Sequence, residues 1–126
     1  MHVKFSSRVL GKALYSSTFY PKGSIVKRLR GELFLKPTRE TIEINPETHI
    51  LDDIGKFVNH SNRPTCKILD GSIVADTNIV PGDEITFDYN DSETSMANPF
   101  VDDTGAVVGG RLAKTLRDVD FDSSAK

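Results

Sequence analysis

No stretch before residue 95 sustains the 3.6-residue apolar period of an amphipathic helix, and turn-forming residues break the chain every few positions. That punctuation restricts the chain to short strands. "SIVKRLRGELFL" (24–35) follows the turn "YPKG" and carries Ile25, Val26, Leu29, Leu33 and Leu35, with Gly31 interrupting the run. "ETIEIN" (40–45) alternates, placing Ile42 and Ile44 on one face and Glu43 on the other. "CKILDGSIVA" (66–75) reads as a hairpin, because Asp70-Gly71 is a pair that tolerates positive φ. After the Pro81-Gly82 turn, "EITFDY" predicts a strand with Ile85, Phe87 and Tyr89 on one face and Thr86 and Asp88 on the other. The expectation is a mostly-β fold with little helix. The tail beyond Ser92 is more polar, with a turn or two of helix expected in "GRLAKTLRDV" (110–119) and a frayed end.

At 126 residues the chain fits one domain with a modest core. The 37% hydrophobic and 27% charged content is that of a globular protein, not a disordered one. A net charge of −2 leaves no electrostatic footprint for nucleic acid, so no direct nucleic-acid binding is expected. No apolar run reaches the length of a membrane span, and "MHVKFSSRVLGK" lacks a signal peptide's apolar core. The single cysteine, Cys66, excludes an internal disulfide and a multi-cysteine zinc site. It reads as a small buried strand residue, and no metal site is expected. These features make an intracellular location the default, nuclear or cytoplasmic being undetermined.

"KFVNHSNRPT" (56–65) sets Asn59, His60 and Ser61 directly behind the apolar pair Phe57-Val58. Alone it reads either as a surface turn or as a binding segment anchored by that pair. Its neighbours favour the second reading. "FVNHSNRPT" resembles the Phe-Ile-Asn-His-Ser-Cys-x-Pro-Asn segment of the SET-domain protein-lysine methyltransferases. "VPGDEITFDYN" resembles the Gly-Glu-Glu-(Leu/Ile)-Thr-Phe-x-Tyr segment of the same family. "GKALYSSTFYPKGSIVKRLRGELF" (11–34) is similar to its opening, and the three together cover most of residues 3 to 91.

The resemblance implies a SET-domain fold of small curved sheets with a pseudoknot-like threading at its C-terminal end. It implies a domain over 1–91, in halves 1–35 and 52–91 joined by a short connector, 36–51, and a post-SET-like tail over 92–126. The implied cofactor is S-adenosyl-L-methionine (AdoMet) and the implied partner a protein or peptide bearing a lysine, histone tails included. Asn59 and His60 match the cofactor-contacting pair. Gly11, Lys12 and Ala13 match the family's Gly-x-Gly cofactor turn, with alanine in place of the second glycine. Tyr89 matches the catalytic tyrosine; read from its strand alone it is equally an inward core residue beside Phe87. Leu29, Phe87 and Tyr89 are the expected substrate-channel residues, Leu29 standing where many active members have a tyrosine.

"SETSMANPF" (92–100) is similar to the lead-in that precedes a zinc cluster in many small family members, but Asp102 and Thr104 stand where the first cysteines would be. The helical insert between the two halves is nearly absent, and a homodimer would offset its loss. The acidic residues Asp52, Asp53, Glu84, Asp88, Asp91 and Glu93 read as a solvated face or as an attractor for a basic substrate tail. Two further readings stand beside the enzyme: a non-catalytic SET-like interaction module, and a β-rich domain of another family that shares turn motifs.

Overall fold

The computed structural model describes residues 1–6 and 11–111. The expected helix within 110–119 and the frayed end lie outside the described residues from position 112 onward. In chain order the elements are β1 (His2–Ser6), β2 (Gly11–Tyr15), β3 (Ile25–Arg28), β4 (Gly31–Phe34), β5 (Ile42–Asn45) and β6 (Thr48–Asp52). A 3-10 turn (Gly55–Phe57), β7 (Asn59–His60), β8 (Cys66–Leu69), β9 (Ser72–Ala75) and β10 (Thr86–Phe87) follow. The helix α1 (Tyr89–Ser92), β11 (Phe100–Val101) and β12 (Val107–Val108) complete the series. The fold is mostly β, as the punctuation predicts.

The predicted hairpin forms β8 and β9, with Cys66 opposite Ala75 and Leu69 opposite Ser72. Asp70 and Gly71 take φ of 50° and 75°, the two left-handed positions that a two-residue turn of matching twist requires. Because β9 also pairs with β3, it is a central strand, and all four of its residues are buried. A second sheet has the order β4-β6-β5. The break expected at Gly31 separates β3 from β4. A Cβ there would lie 1.7 Å from the Leu51 carbonyl oxygen, so only glycine lets β4 approach β6. Leu14, Val26, Ile50, Val58, Ile73 and Ile85 join one core that both sheets share. Cys66 is fully buried among them, and burial pushes its thiol up to about 11, so it packs as a small apolar group.

One local expectation differs from what forms. The strand predicted to run through Tyr89 ends at Phe87: Glu84 bridges to Tyr15, and Thr86 and Phe87 pair with β7. Asp88 then turns the chain: its carboxylate accepts the Asn90 N–H at 2.9 Å, an N-cap that starts α1 at Tyr89. Glu43, on the face opposite Ile42 and Ile44, is buried as well, at 5% exposure. Its carboxylate is satisfied by Thr94 and Arg111, about fifty residues or more away in sequence.

Candidate functional site

Polar groups in "VNHS" are fixed from behind by core packing and from below by one carboxylate. Val58 is 2% exposed in the core, and Phe57 packs half-buried against it. Asp52, 1% exposed, accepts the N–H groups of Ile54 and Gly55 and thereby shapes the 3-10 turn that leads into β7. It also accepts the Arg30 N–H at 2.8 Å and pairs with the Lys27 ammonium at 2.6 Å. Burial pushes this carboxyl up, but the hydrogen bonds from Gly55, Lys27, Arg30 and Ile54 together hold it below the usual aspartate value.

β7 then lies parallel to β10, with Asn59 opposite Thr86 and His60 opposite Phe87. Parallel pairing cannot be closed by a hairpin turn, and here the crossover is supplied by the whole β8–β9 hairpin and the Pro81 turn. The consequence is that residues nearly thirty positions apart become neighbours. The Tyr89 N–H donates to His60 Nδ1 at 3.0 Å. Since Nδ1 is the acceptor, the neutral imidazole carries its proton on Nε2, which stands 3.5 Å from the Asp102 carboxylate.

The Tyr89 hydroxyl donates to the Val58 carbonyl at 2.5 Å, which fixes the orientation of the phenol. Around its ring lie Phe87 at 5.1 Å, His60 at 5.3 Å and Phe100 at 6.2 Å between centroids. These four rings stand on a cavity of about 930 Å³. Its other walls come from the connector near Thr41, from Glu93, and from the stretch Met96–Asp103. The size and the mix of aromatic faces with a few polar groups suit a small-molecule or side-chain site.

The predicted residues divide into two groups. Asn59, His60, Phe87 and Tyr89 all line this cavity. Gly11, Lys12 and Ala13 do not; they form β2, where Ala13 is fully buried opposite Lys4 of β1. They are tied to the site by a bond from Asn59 Nδ2 to the Lys12 carbonyl at 2.9 Å. The Lys12 ammonium sits 5.6 Å from the centre of the Phe57 ring. Leu29 is a core residue, 8% exposed, that packs near Gly55 and donates its N–H to the Gly71 carbonyl. It is not among the residues that line the cavity.

The stretch after α1 supplies what motif reading missed. Its two ends are clamped: Asn90 Oδ1 accepts the N–H groups of Gly109 and Gly110, and Asn90 Nδ2 donates to the Val107 carbonyl. Glu43 ties Thr94 to Arg111. Between the clamps the chain projects Phe100 and Asp102 onto His60. Asp102 Oδ1 accepts from Thr104 Oγ1 and from the N–H groups of Thr104 and Ala106, fixing a tight turn. The Thr104 hydroxyl is the main reason that the Asp102 carboxyl lies below its usual value. Position 102, noted in the sequence only for its missing cysteine, organises this turn. Aspartate two residues before a threonine and three before Gly105 was the available signal.

Among the acidic residues grouped as a face, Glu93 is 6% exposed and belongs to the cavity wall. Its Oε2 accepts the Glu43 N–H at 3.0 Å and the Ser92 hydroxyl at 3.2 Å. Burial pushes its carboxyl up to about 7, the bonds from Glu43 N–H and Ser92 opposing the shift.

A family model for the SET domain matches residues 11–90, more than half of the chain. Among solved structures, the crystal structure of KRYPTONITE in complex with mCHG DNA and SAH aligns with a TM-score of 0.60 at 27% identity. The alignment covers 82% of this chain and 27% of that one, so the chain spans about a quarter of its length. No curated protein sequence gives a significant match. With the ordered motifs, the parallel β7–β10 pair and a matching model over residues 11–90, the chain belongs to the SET-domain family.

Proposed function

We propose that this chain transfers a methyl group from AdoMet to a lysine amine of a protein substrate, with histone tails among the substrates to screen. The observation that carries the reading is the convergence of Asn59, His60 and Tyr89 on one aromatic cavity through the β7–β10 pairing. The pairing of two strands across a long crossover also supports the pseudoknot-like threading that the family resemblance implies. The SAH held by the KRYPTONITE structure is the product left when AdoMet gives up its methyl group, which supports the same chemistry here.

The residues present suit a sulfonium cofactor: the faces of Tyr89 and Phe87 attract cations, and the Val58 carbonyl and Tyr89 hydroxyl place two oxygens beside them. Asn59 and His60, with the Lys12 carbonyl tied to Asn59, would hold the cofactor. When bound, AdoMet supplies an electrophilic methyl group. Tyr89 would orient the amine through its hydroxyl, which the bond to the Val58 carbonyl holds in place. Phe87 and Phe100 would exclude water, which disfavours the ammonium form and lowers the lysine's pKa from ~10.4 toward the neutral nucleophile. His60, by accepting the Tyr89 N–H, fixes the backbone from which that ring projects.

Calorimetric titration with AdoMet, followed by label transfer onto a peptide array, tests the proposal. Micromolar binding and transfer to lysine peptides are the expected results. Tyr89→Phe should retain AdoMet and lose about 100-fold in rate, in the range typical of a lost orienting or acid–base group. Transfer at the unaltered rate removes Tyr89 from its role, and no AdoMet binding at millimolar concentration overturns the enzyme reading.

A further inference from the structure

Residues 96–108 form a strap along one wall of the cavity, with Phe100 and Asp102 turned toward His60. Most of its side chains are exposed, so packing contributes little to where it sits. Hydrogen bonds do more. The Met96 N–H donates to the Gly109 carbonyl at 3.0 Å and closes the strap at its base. Inside it, β11 pairs with β12, which sets Phe100 opposite Val108 and Val101 opposite Val107.

Asn90 joins this strap to the helix that carries Tyr89. Its Oδ1 accepts the N–H groups of Gly109 at 3.1 Å and Gly110 at 3.0 Å, and its Nδ2 donates to the Val107 carbonyl at 3.3 Å. A single side-chain amide thus satisfies three main-chain groups on one short stretch of the strap's end. That end is shaped for a close fit. Gly110 has φ of 100°, and a Cβ there would meet the Glu93 and Thr94 carbonyl oxygens at 2.8 Å. Asn90 does not line the cavity, whereas Tyr89 beside it does. A continuous path runs from Asn90 to Val107, across the β12–β11 pair to Phe100, and back to the site. There the Phe100 ring stands 6.2 Å from Tyr89 and 6.1 Å from His60.

We propose that Asn90 is a positioning residue for the transfer: by seating β12 on α1, its side-chain amide holds Phe100 against Tyr89 and His60. The inference rests on the methyl-transfer reading for the reaction served, but not for the placement of Phe100. When the three bonds are lost the strap loosens, water reaches the amine, and the ammonium form is favoured. Holding AdoMet falls to Asn59, His60 and the Lys12 carbonyl, on β7 and β2 rather than on the strap. Asn90 therefore acts on the rate and its pH dependence, not on cofactor affinity.

NMR on the unaltered chain gives the first test. The Gly109 and Gly110 amides should be protected from exchange, and a nuclear Overhauser contact should join the Phe100 and Tyr89 rings. Absence of that contact overturns the proposal. In Asn90→Ala the contact should vanish and the two amides should exchange about tenfold faster, while the β8–β9 amides stay protected and report a folded chain. A contact that survives in this variant also overturns the proposal. Asn90→Asp keeps an acceptor for both glycine N–H groups and loses the donor to Val107, so its two amides should stay protected. It decides the matter should Asn90→Ala not fold: rapid exchange of both amides in a folded Asn90→Asp chain overturns the proposal.

Label transfer to a lysine peptide tests the consequence. Asn90→Ala should bind AdoMet with little change and transfer about tenfold more slowly at neutral pH, the effect of raising the amine's pKa by about one unit. The deficit should shrink as pH rises toward the free amine's value of ~10.4. A deficit of equal size at every pH marks a structural defect and overturns the proposal, as does an unchanged rate. The enzyme reading is scored separately: where the ring contact depends on Asn90 but the unaltered chain binds no AdoMet, the seating of Phe100 stands and methyl transfer falls.

Discussion

Asp52 and Glu93 are both carboxylates buried to within a few per cent, and burial acts on them in the same direction. Around Asp52 the chain brings three N–H groups and an ammonium, enough to reverse the effect of burial. Around Glu93 it brings one N–H and one hydroxyl, and burial prevails. The first region is finished by folding: every acceptor position on the carboxylate is in use for building the turn before β7. The second is left incomplete on the wall of a cavity. A folded chain tolerates such incompleteness at a cost in stability, and it is found here beside the residues that the proposed transfer would use.

The largest expected effect breaks the finished region. Asp52→Ala strands the N–H groups of Arg30, Ile54 and Gly55 and leaves Lys27 without its partner, so urea unfolding should show a loss of about 3–5 kcal/mol. The folded carboxyl lies below its unfolded value, so its contribution is present above about pH 4 and is lost as pH falls through the folded value. A loss under ~1 kcal/mol would mean that solvent replaces those bonds and that the contrast with Glu93 is false.

Glu93→Gln sharpens the contrast from the other side. Here the folded carboxyl lies above its unfolded value of 4.5, at about 7. Its contribution is fully present below pH 4.5 and is lost as pH rises through 7. The variant should lack that decline and be more stable than the unaltered chain at pH 8, by up to ~3 kcal/mol. Parallel stability–pH curves for the two chains would show that Glu93 is not perturbed.

A smaller effect is expected at Gly110, which joins the clamp to Glu93. It has φ of 100°, and a Cβ would lie 2.8 Å from the carbonyl oxygens of Glu93 and Thr94. Gly110→Ala should cost about 1–3 kcal/mol of strain. Hydrogen exchange should quicken first at the Met96 and Arg111 amides, which bond to Gly109 and Glu93, with the β8–β9 hairpin unaffected. Equal acceleration in both regions would mean that the clamp and the core unfold as one unit.

What the sequence discloses follows the range of the forces involved. The β8–β9 hairpin is legible because Asp70 and Gly71 carry their own conformational preference. The motif pair identifies Asn59, His60 and Tyr89, which the fold brings to one cavity. Alternation is silent on the burial of Glu43, because its partners Thr94 and Arg111 lie far along the chain and no local period encodes them. The same distance hides Glu93 among surface acids and Phe100 in a polar tail. The strand before Tyr89 is shorter than alternation predicts for a local reason: Asp88 caps a helix, and its signal competes with the alternation of "ITFDY".

The parallel pairing of β7 with β10 also bears on how the chain acquires its site. Asn59 and His60 gain their strand partners only after residue 87 has been made, and Phe100 and Asp102 arrive later still. Closing so long a loop costs entropy before it returns any contact, which places this step late and makes it slow. During synthesis the β8–β9 hairpin can form first, inside the loop that the site must close. A nascent chain would therefore display no half-built cavity able to hold a ligand, and binding competence would arise in one step near the end of folding.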